Sequence, residues 1–446
     1  MRPGERAREA AFHLLDALSG SRIRHAIDVL DRAQRMDPDA LRRWQAERLH
    51  RLLGCARDGT RFYRRLIPRD FSERESFDVL SSLPVVAKAR IVADPEAFLS
   101  STVPRRGLVS GTTSGSTGRA FTYWMDRGRR IRIRAEILYF AGWAGYRAGM
   151  RHLVLALVPS RPRSVARQIV MNQRLADTTA IDGGRLEEIR RRILRERPRI
   201  LFGYPWVLRL LAEHCLARGS PRVGASLRGV VTFAEALPEL SRRLIESAFG
   251  CEVFERYSAL EVGVIASECE AHRMHLNTGS LFAESVGLEP GTATADGPAR
   301  LVLTDLFNRG MPLLRYDIED DIALDRTRCP CGRTSPVLAA IHGRTVDQIT
   351  SPDGRWIDPV AIGRIVERIP GVEHYQFVQQ DEAAYLVRIV LGEQCERGIT
   401  ETIVSRYQVL LGGSAHVDVA RVKEIPMLPS GKRPCVLSEF RRGKTV

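Results

Sequence analysis

The chain has 446 residues, 44% hydrophobic and 27% charged, the balance of a soluble globular protein with more than one core. No run approaches the roughly 18 apolar residues of a membrane helix, and acidic residues interrupt the arginines at the N-terminus, so neither a spanning helix nor a signal peptide is expected and the cytoplasm is the expected compartment. The net charge of +15 raises nucleic acid as a partner, yet only four of the 68 basic residues are Lys, and the Arg are dispersed among acids, as in Arg185-Leu-Glu-Glu-Ile-Arg190. A salt-bridged surface accounts for that charge, and no nucleic-acid partner is expected.

The first residues read as an amphipathic helix. From about 21 to 80 the pattern stays helical, with Leu41, Trp44, Leu49, Leu52 and Leu53 at helical spacing, until Leu83-Pro84 breaks it. Strand and helix signals then alternate. Residues 152–158 predict a buried strand, 184–196 a helix, 199–204 a strand, 206–218 a helix, 227–233 a strand, 240–248 a helix and 251–257 a strand. Such alternation predicts an α/β domain with a mostly parallel sheet, whose ligands bind beyond the carboxyl ends of the strands. Thr232-Phe-Ala-Glu235 and Tyr257-Ser-Ala-Leu-Glu261 are placed at such ends. From about 275 the pattern turns to strands and turns, and a polar stretch at 343–348 marks a domain boundary before a compact β/α segment that runs to about 440.

Between the helical lead-in and the sheet lies Ser110-Gly-Thr-Thr-Ser-Gly-Ser-Thr-Gly-Arg119. Glycines let backbone approach a ligand closely, and successive N–H groups with Ser and Thr hydroxyls form an anion nest. A flexible linker is the plain alternative, but an apolar, aromatic segment follows at once, so the loop reads as a polyphosphate cradle. It is not a Walker loop, because it holds no Lys.

Taken in order, the loop, Phe62-Tyr63, Leu83-Pro84 with Lys88, and the segments FAEAL, YSALE and RYDIEDD resemble the adenylate-forming (acyl-CoA synthetase) superfamily, in its phenylacetate–CoA ligase-like branch. The resemblance covers about residues 40 to 440. It implies a large multi-subdomain N-terminal domain over 1–343, with a helical lead-in to about 100, and a small mobile α+β C-terminal domain over 344–446. It implies ATP and Mg²⁺ as reactants and cofactors, a carboxylic acid substrate, an acyl-adenylate intermediate and CoA as acceptor. An amine or a carrier-protein thiol is the alternative acceptor, and a homodimer is compatible with the sequence.

The resemblance also assigns residues. Thr112, Thr113, Ser114, Gly115, Ser116, Thr117 and Gly118 would cradle pyrophosphate, Glu235 would lie in the adenine segment, Tyr257 would stack near the base, and Glu261 would bind Mg²⁺. Asp320 would take the ribose hydroxyls, two acceptor oxygens suiting a diol, with Asp317 as the alternative. Arg344 would contact ribose or the α-phosphate, Asp347 would sit at the hinge, and Lys432 would be the mobile catalytic lysine. A compact ammonium enters a closed site where a planar guanidinium does not. Tyr139, Phe140 and Trp143, with Tyr204 and Trp206, read either as walls of an acyl pocket or as core.

Three cysteines stand apart from the rest. Cys329-Pro-Cys331 is a tight knuckle, and Cys269 lies upstream with His272 and His275 close behind it. Three Cys and one His make a tetrahedral Zn²⁺ set with no open position, hence a structural metal. Cys269, His275, Cys329 and Cys331 are the expected ligands, with His272 as the alternative. A redox pair or buried free thiols are the competing readings.

Overall fold

The computed structural model of the protein describes all residues except 1, 114–120, 157–164, 179–180, 182, 220–222, 224, 288–298, 326, 345–348, 355, 358–361, 364, 367–368, 393–397, 426–433 and 441–446. The lead-in is helical as its periodicity predicts. Pro3–Ser19, Ile23–Arg35 and Pro38–Gly59 are its long helices. Asp16, in the last turn of the first, caps the second, its carboxylate accepting from the backbone N–H groups of Ile23 at 2.8 Å and Arg24 at 3.0 Å. Asp37 caps the third, whose first residue is Pro38, because the fixed φ of proline and a carboxylate acceptor both suit a helix start. Leu49, Leu52, Leu53 and Ala56 form its buried stripe.

The main sheet has a parallel half. Gln173–Asp177, His152–Ala156, Ile200–Gly203, Gly229–Phe233 and Val253–Ala259 lie side by side in that order. Both faces are covered, so the central strands are largely apolar. Leu153, Leu155, Leu201, Val230 and Val253 pack on the helices Gly183–Glu196, Pro205–Ala217 and Glu239–Phe249. Val154, Ile200, Phe202, Val231 and Phe254 point the other way, toward Ala141 and Ala144 at the end of the helix Arg127–Trp143. This alternation decides where each later residue of these strands points.

Antiparallel strands extend the sheet. Val253–Ala259 turns into Gly263–Glu268, and Met274–Leu276, Val337–Arg344, Tyr316–Asp325, Ala299–Asp305 and Leu281–Gly287 follow. Val86–Ala87 joins Tyr316–Asp325 in parallel. The first turn needs glycine. Gly263 has φ +80°, and a Cβ there would strike the carboxylate of Glu136. That carboxylate belongs to a buried knot in which Arg129 donates to Glu136, to Asp305 at 2.6 Å and to the carbonyl of Val262. All three side chains are fully buried, and they tie the helix Arg127–Trp143 to both halves of the sheet.

A separate sheet, ordered His416–Arg421, Ala384–Leu391, Val372–Gln379, Val436–Ser438, carries the C-terminal part with the helix Ile399–Leu411. Phe377, Tyr385, Val387, Ile403 and Tyr407 are its core. His374 on this sheet meets Glu213 of the helix Pro205–Ala217 at 3.4 Å. Among the described residues, no helix is long and apolar enough to cross a membrane.

Candidate active site

A cavity of about 2890 Å³ opens at the ends of the parallel strands. Tyr204, Glu235, Tyr257, Glu261 and Asp320 line it, and Cys435 and Val436 border it from the C-terminal sheet. The hairpin Leu108–Thr113/Phe121–Asp126 borders it, with Ser110 and Tyr123 on its wall. Thr112 pairs with Thr122 in that hairpin, and Thr113 with Phe121. Ser114, Gly115, Ser116, Thr117 and Gly118 lie outside the described residues, as do Asp347 and Lys432.

Two phenols hold two carboxylates at this wall. The hydroxyl of Tyr257 donates to Asp320, and that of Tyr316 donates to Glu261 at 3.0 Å. Glu261 stands just beyond the carboxyl end of a strand, as the sequence pattern places it. The strand Val253–Ala259 runs through Tyr257 rather than ending there, and Glu261 sits in the hairpin turn that follows. The charged segment 315–321 is not a solvated turn. It enters a largely buried strand, because each charge finds a partner: Arg315 pairs with Glu284 at 3.1 Å and Asp317 with Arg300 at 3.3 Å. Asp317 is thereby engaged elsewhere, and Asp320 is the acid brought to Tyr257. Glu319, with φ +66°, bulges the strand just before Asp320, a device that re-aims a side chain beside a site.

Other residues complete the wall. Glu235 follows the strand Gly229–Phe233 and, after burial, is the second cause of the raised pKa of Tyr204. Burial and then the charge of Glu261 raise that of Tyr123. Lys88 is buried and also lines the cavity. The backbone of Arg344 lies opposite Asp320 on the neighbouring strand. The two aromatic segments part company. Tyr204 and Trp206 face the cavity, whereas Tyr139 and Phe140 pack among Phe12, Leu30 and Val264. Trp143 leans on His275 and Arg333.

That contact leads to the cysteines. The ligand atoms of Cys269, His275, Cys329 and Cys331 all lie within 4.8 Å of one another. Cys269 and Cys329 sulfurs are 3.6 Å apart, and Cys331 sulfur is 3.3 Å from His275 Nε2. A tetrahedral Zn²⁺ with Zn–S of about 2.3 Å and Zn–N of about 2.0 Å sets such edges at roughly 3.5–3.8 Å. The donor set therefore fits zinc. His275 Nδ1 is 3.1 Å from the carbonyl of Ser335 and 3.0 Å from its hydroxyl, and donation to that carbonyl leaves Nε2 as the lone-pair ligand. Burial holds His275 near pKa 4, so the imidazole is neutral as ligation requires. His272 is not part of the set. It stacks on Phe254 and faces Glu252 and Glu268 at 3.6 and 3.7 Å.

With this geometry in place, likeness to known proteins becomes informative. Residues 349–439 match the CapK C-terminal domain family. The phenylacetate–coenzyme A ligase of Thermus thermophilus is 25% identical over 443 residues, spanning 89% of this chain and 94% of that one. Protein CapK of Staphylococcus aureus is 22% identical over 410 residues, spanning 89% of each. A 2-hydroxyisobutyryl-CoA ligase in its postadenylation state, in complex with R3-HIB-AMP, superposes with a TM-score of 0.75 at 20% identity over 92% of both chains. The chain thus has the fold of the adenylate-forming acyl-CoA ligases and is a sequence relative of phenylacetate–coenzyme A ligase and CapK.

Proposed function

We propose that the protein activates a carboxylic acid with ATP as an acyl-adenylate and then transfers the acyl group to CoA. The observation that carries this reading is the convergence of the Tyr257–Asp320 and Tyr316–Glu261 pairs on one cavity wall. One acid is poised for a ribose diol and the other for a cation beside phosphate. Residues 1–343 act as the adenylating domain and 344–446 as a lid carrying Lys432.

The carboxylate of the substrate attacks the α-phosphorus, the bond to the bridging oxygen breaks, and pyrophosphate leaves into the Thr112–Gly118 loop. Asp320 holds the ribose with Tyr257 buttressing the carboxylate, and Arg344 and Lys432 meet the charge developing on the α-phosphate. Glu261 would hold Mg²⁺, which when bound would neutralise charge on the phosphate oxygens. The lid then turns, and the CoA thiolate displaces AMP from the acyl carbon. Zn²⁺ at Cys269, His275, Cys329 and Cys331 is structural. The alternative acceptor is an amine or a carrier-protein thiol.

Pyrophosphate exchange over a carboxylate library, followed by product analysis with and without CoA, tests the reading. In Lys432→Ala, exchange is expected to fall by about 10²–10³-fold with ATP binding retained. Wild-type exchange in that variant overturns the role of Lys432, and an acyl product formed only with an amine or a carrier thiol overturns CoA.

A further inference from the structure

Arg256 is a charge the fold leaves unanswered. Its strand alternates, so while Tyr257 turns to Asp320, Arg256 shares the face of Phe254. There it lies over the ring of Phe233, its guanidinium carbon 5.4 Å from the ring centre. Its Nε and Nη1 are buried without a hydrogen-bond partner. Burial alone lowers its pKa, to about 10, and no carboxylate acts on it. Glu255, the adjacent acid, points to the opposite face, where it accepts from the N–H of Leu237.

The surroundings are apolar. The same cavity wall holds Leu138, Met171, Phe202 and Phe233. A cation partly withdrawn from water among such side chains is costly unless an anion meets it. The ring of Phe233 offsets only a fraction of that cost. A methionine of similar length would fill the space without the penalty. Retention of a guanidinium therefore requires a partner supplied from the cavity.

We infer that Arg256 is a specificity-determining residue at the acyl end of this cavity, and that the acid it selects carries a second, distal anionic group, as a dicarboxylic acid does. The inference rests on the proposed acid activation. Phosphates of the nucleotide share the required chemistry, but they belong with Asp320 and Glu261, whereas Arg256 faces away from Tyr257. An acid lacking the distal charge leaves the guanidinium unpaired, and sites of that kind reject such analogues strongly.

The test compares dicarboxylates from succinate to sebacate with their monomethyl esters in pyrophosphate exchange, using the full chain as wild type, Arg256→Met and Arg256→Lys. The wild type is expected to favour a diacid over its ester by about tenfold or more in kcat/KM. Arg256→Met loses the preference through a raised KM for the diacid, at unchanged KM for ATP, and Arg256→Lys keeps part of it. Without any ligand, Arg256→Met melts at or above the wild-type temperature, and the preferred diacid raises Tm in the wild type only. The same diacid-to-ester ratio in both proteins overturns the inference. So does a raised KM for ATP with the ratio kept, or a ligand-free Arg256→Met that melts lower. If no acid supports exchange, the activity reading fails by itself, and the melting shifts with diacids still decide whether Arg256 holds an anion.

Discussion

Two arginines on the same side of the sheet show opposite solutions to one problem. Arg129 is fully buried and fully matched: two carboxylates and a carbonyl take its donors, and the charges of Asp305 and Glu136 hold its proton more tightly against the pull of burial. Arg256 is half-buried, and its Nε and Nη1 are buried and unmatched. The first is a construction element, since it fixes the helix Arg127–Trp143 against the turn at Gly263 and the strand Ala299–Asp305. The second has, among the described residues, only the ring of Phe233 to answer its charge. Proteins tolerate such local inconsistency chiefly where a ligand resolves it.

The sharpest way to break this contrast is to replace both with methionine. Arg129→Met removes one cation and strands two buried carboxylates, so it is expected to destabilise by about 3–5 kcal/mol or to prevent folding. Arg256→Met, which strands nothing, is expected to be neutral or stabilising. Chemical denaturation of the two variants beside the wild type measures the difference. Equal losses would mean that Arg256 has a structural partner and that the two sites do not differ in kind.

How far the sequence anticipates these sites depends on whether a residue's meaning is local. The strand–helix alternation over 152–249 is local, and the parallel half of the sheet follows it except for the helix Val165–Met171 and the edge strand Gln173–Asp177, which the pattern does not predict. The Cys/His set is nearly local: all four ligands are legible, and only the choice between His275 and His272 needs the packing of Ser335 and Phe254. The charged strand 316–325 is illegible, because its period-2 signal is hidden by acids whose partners, Arg300 and Tyr257, are remote in sequence. Tyr139 and Trp143 read equally as pocket or core, and only packing against the N-terminal helices and the zinc-type cluster decides for core. Arg256 is one Arg among many in the chain. What marks it is burial without a partner, a property that exists only after folding.

A middle case sharpens the contrast: thiols and an imidazole whose charge the proposed zinc would match. The Cys/His cluster joins the strand Met274–Leu276 to the knuckle 329–331. Zinc analysis of the purified protein is expected to find equimolar metal. Its removal by a strong chelator, or the substitution Cys329→Ala, is expected to lower Tm and expose this edge to proteolysis, with a smaller effect than Arg129→Met because the main core stays closed. Protein purified free of metal with an unchanged melting temperature would overturn the zinc assignment.

The smallest expected effect concerns Glu255, whose situation lies between the two arginines. Burial and the nearby charge of Glu268 push its carboxyl up to about 7, while Arg242 and the N–H of Leu237 only partly oppose them. The native state therefore holds a proton here that the unfolded chain, titrating near the ordinary glutamate value, has already released. Between about pH 4.5 and 7 the native state binds more protons than the unfolded state, so this group's contribution to stability is fully present below that window and is lost as pH rises through it. Glu255→Gln keeps the acceptor oxygen for Leu237 and cannot ionise. Its advantage over the wild type should grow across the window and level off above it, reaching on the order of 1 kcal/mol. Melting curves of both proteins at pH 5 and pH 8 test this directly. A difference that is the same at both values would mean that Glu255 is ionised throughout and that Arg242 answers its charge as completely as Asp305 and Glu136 answer that of Arg129.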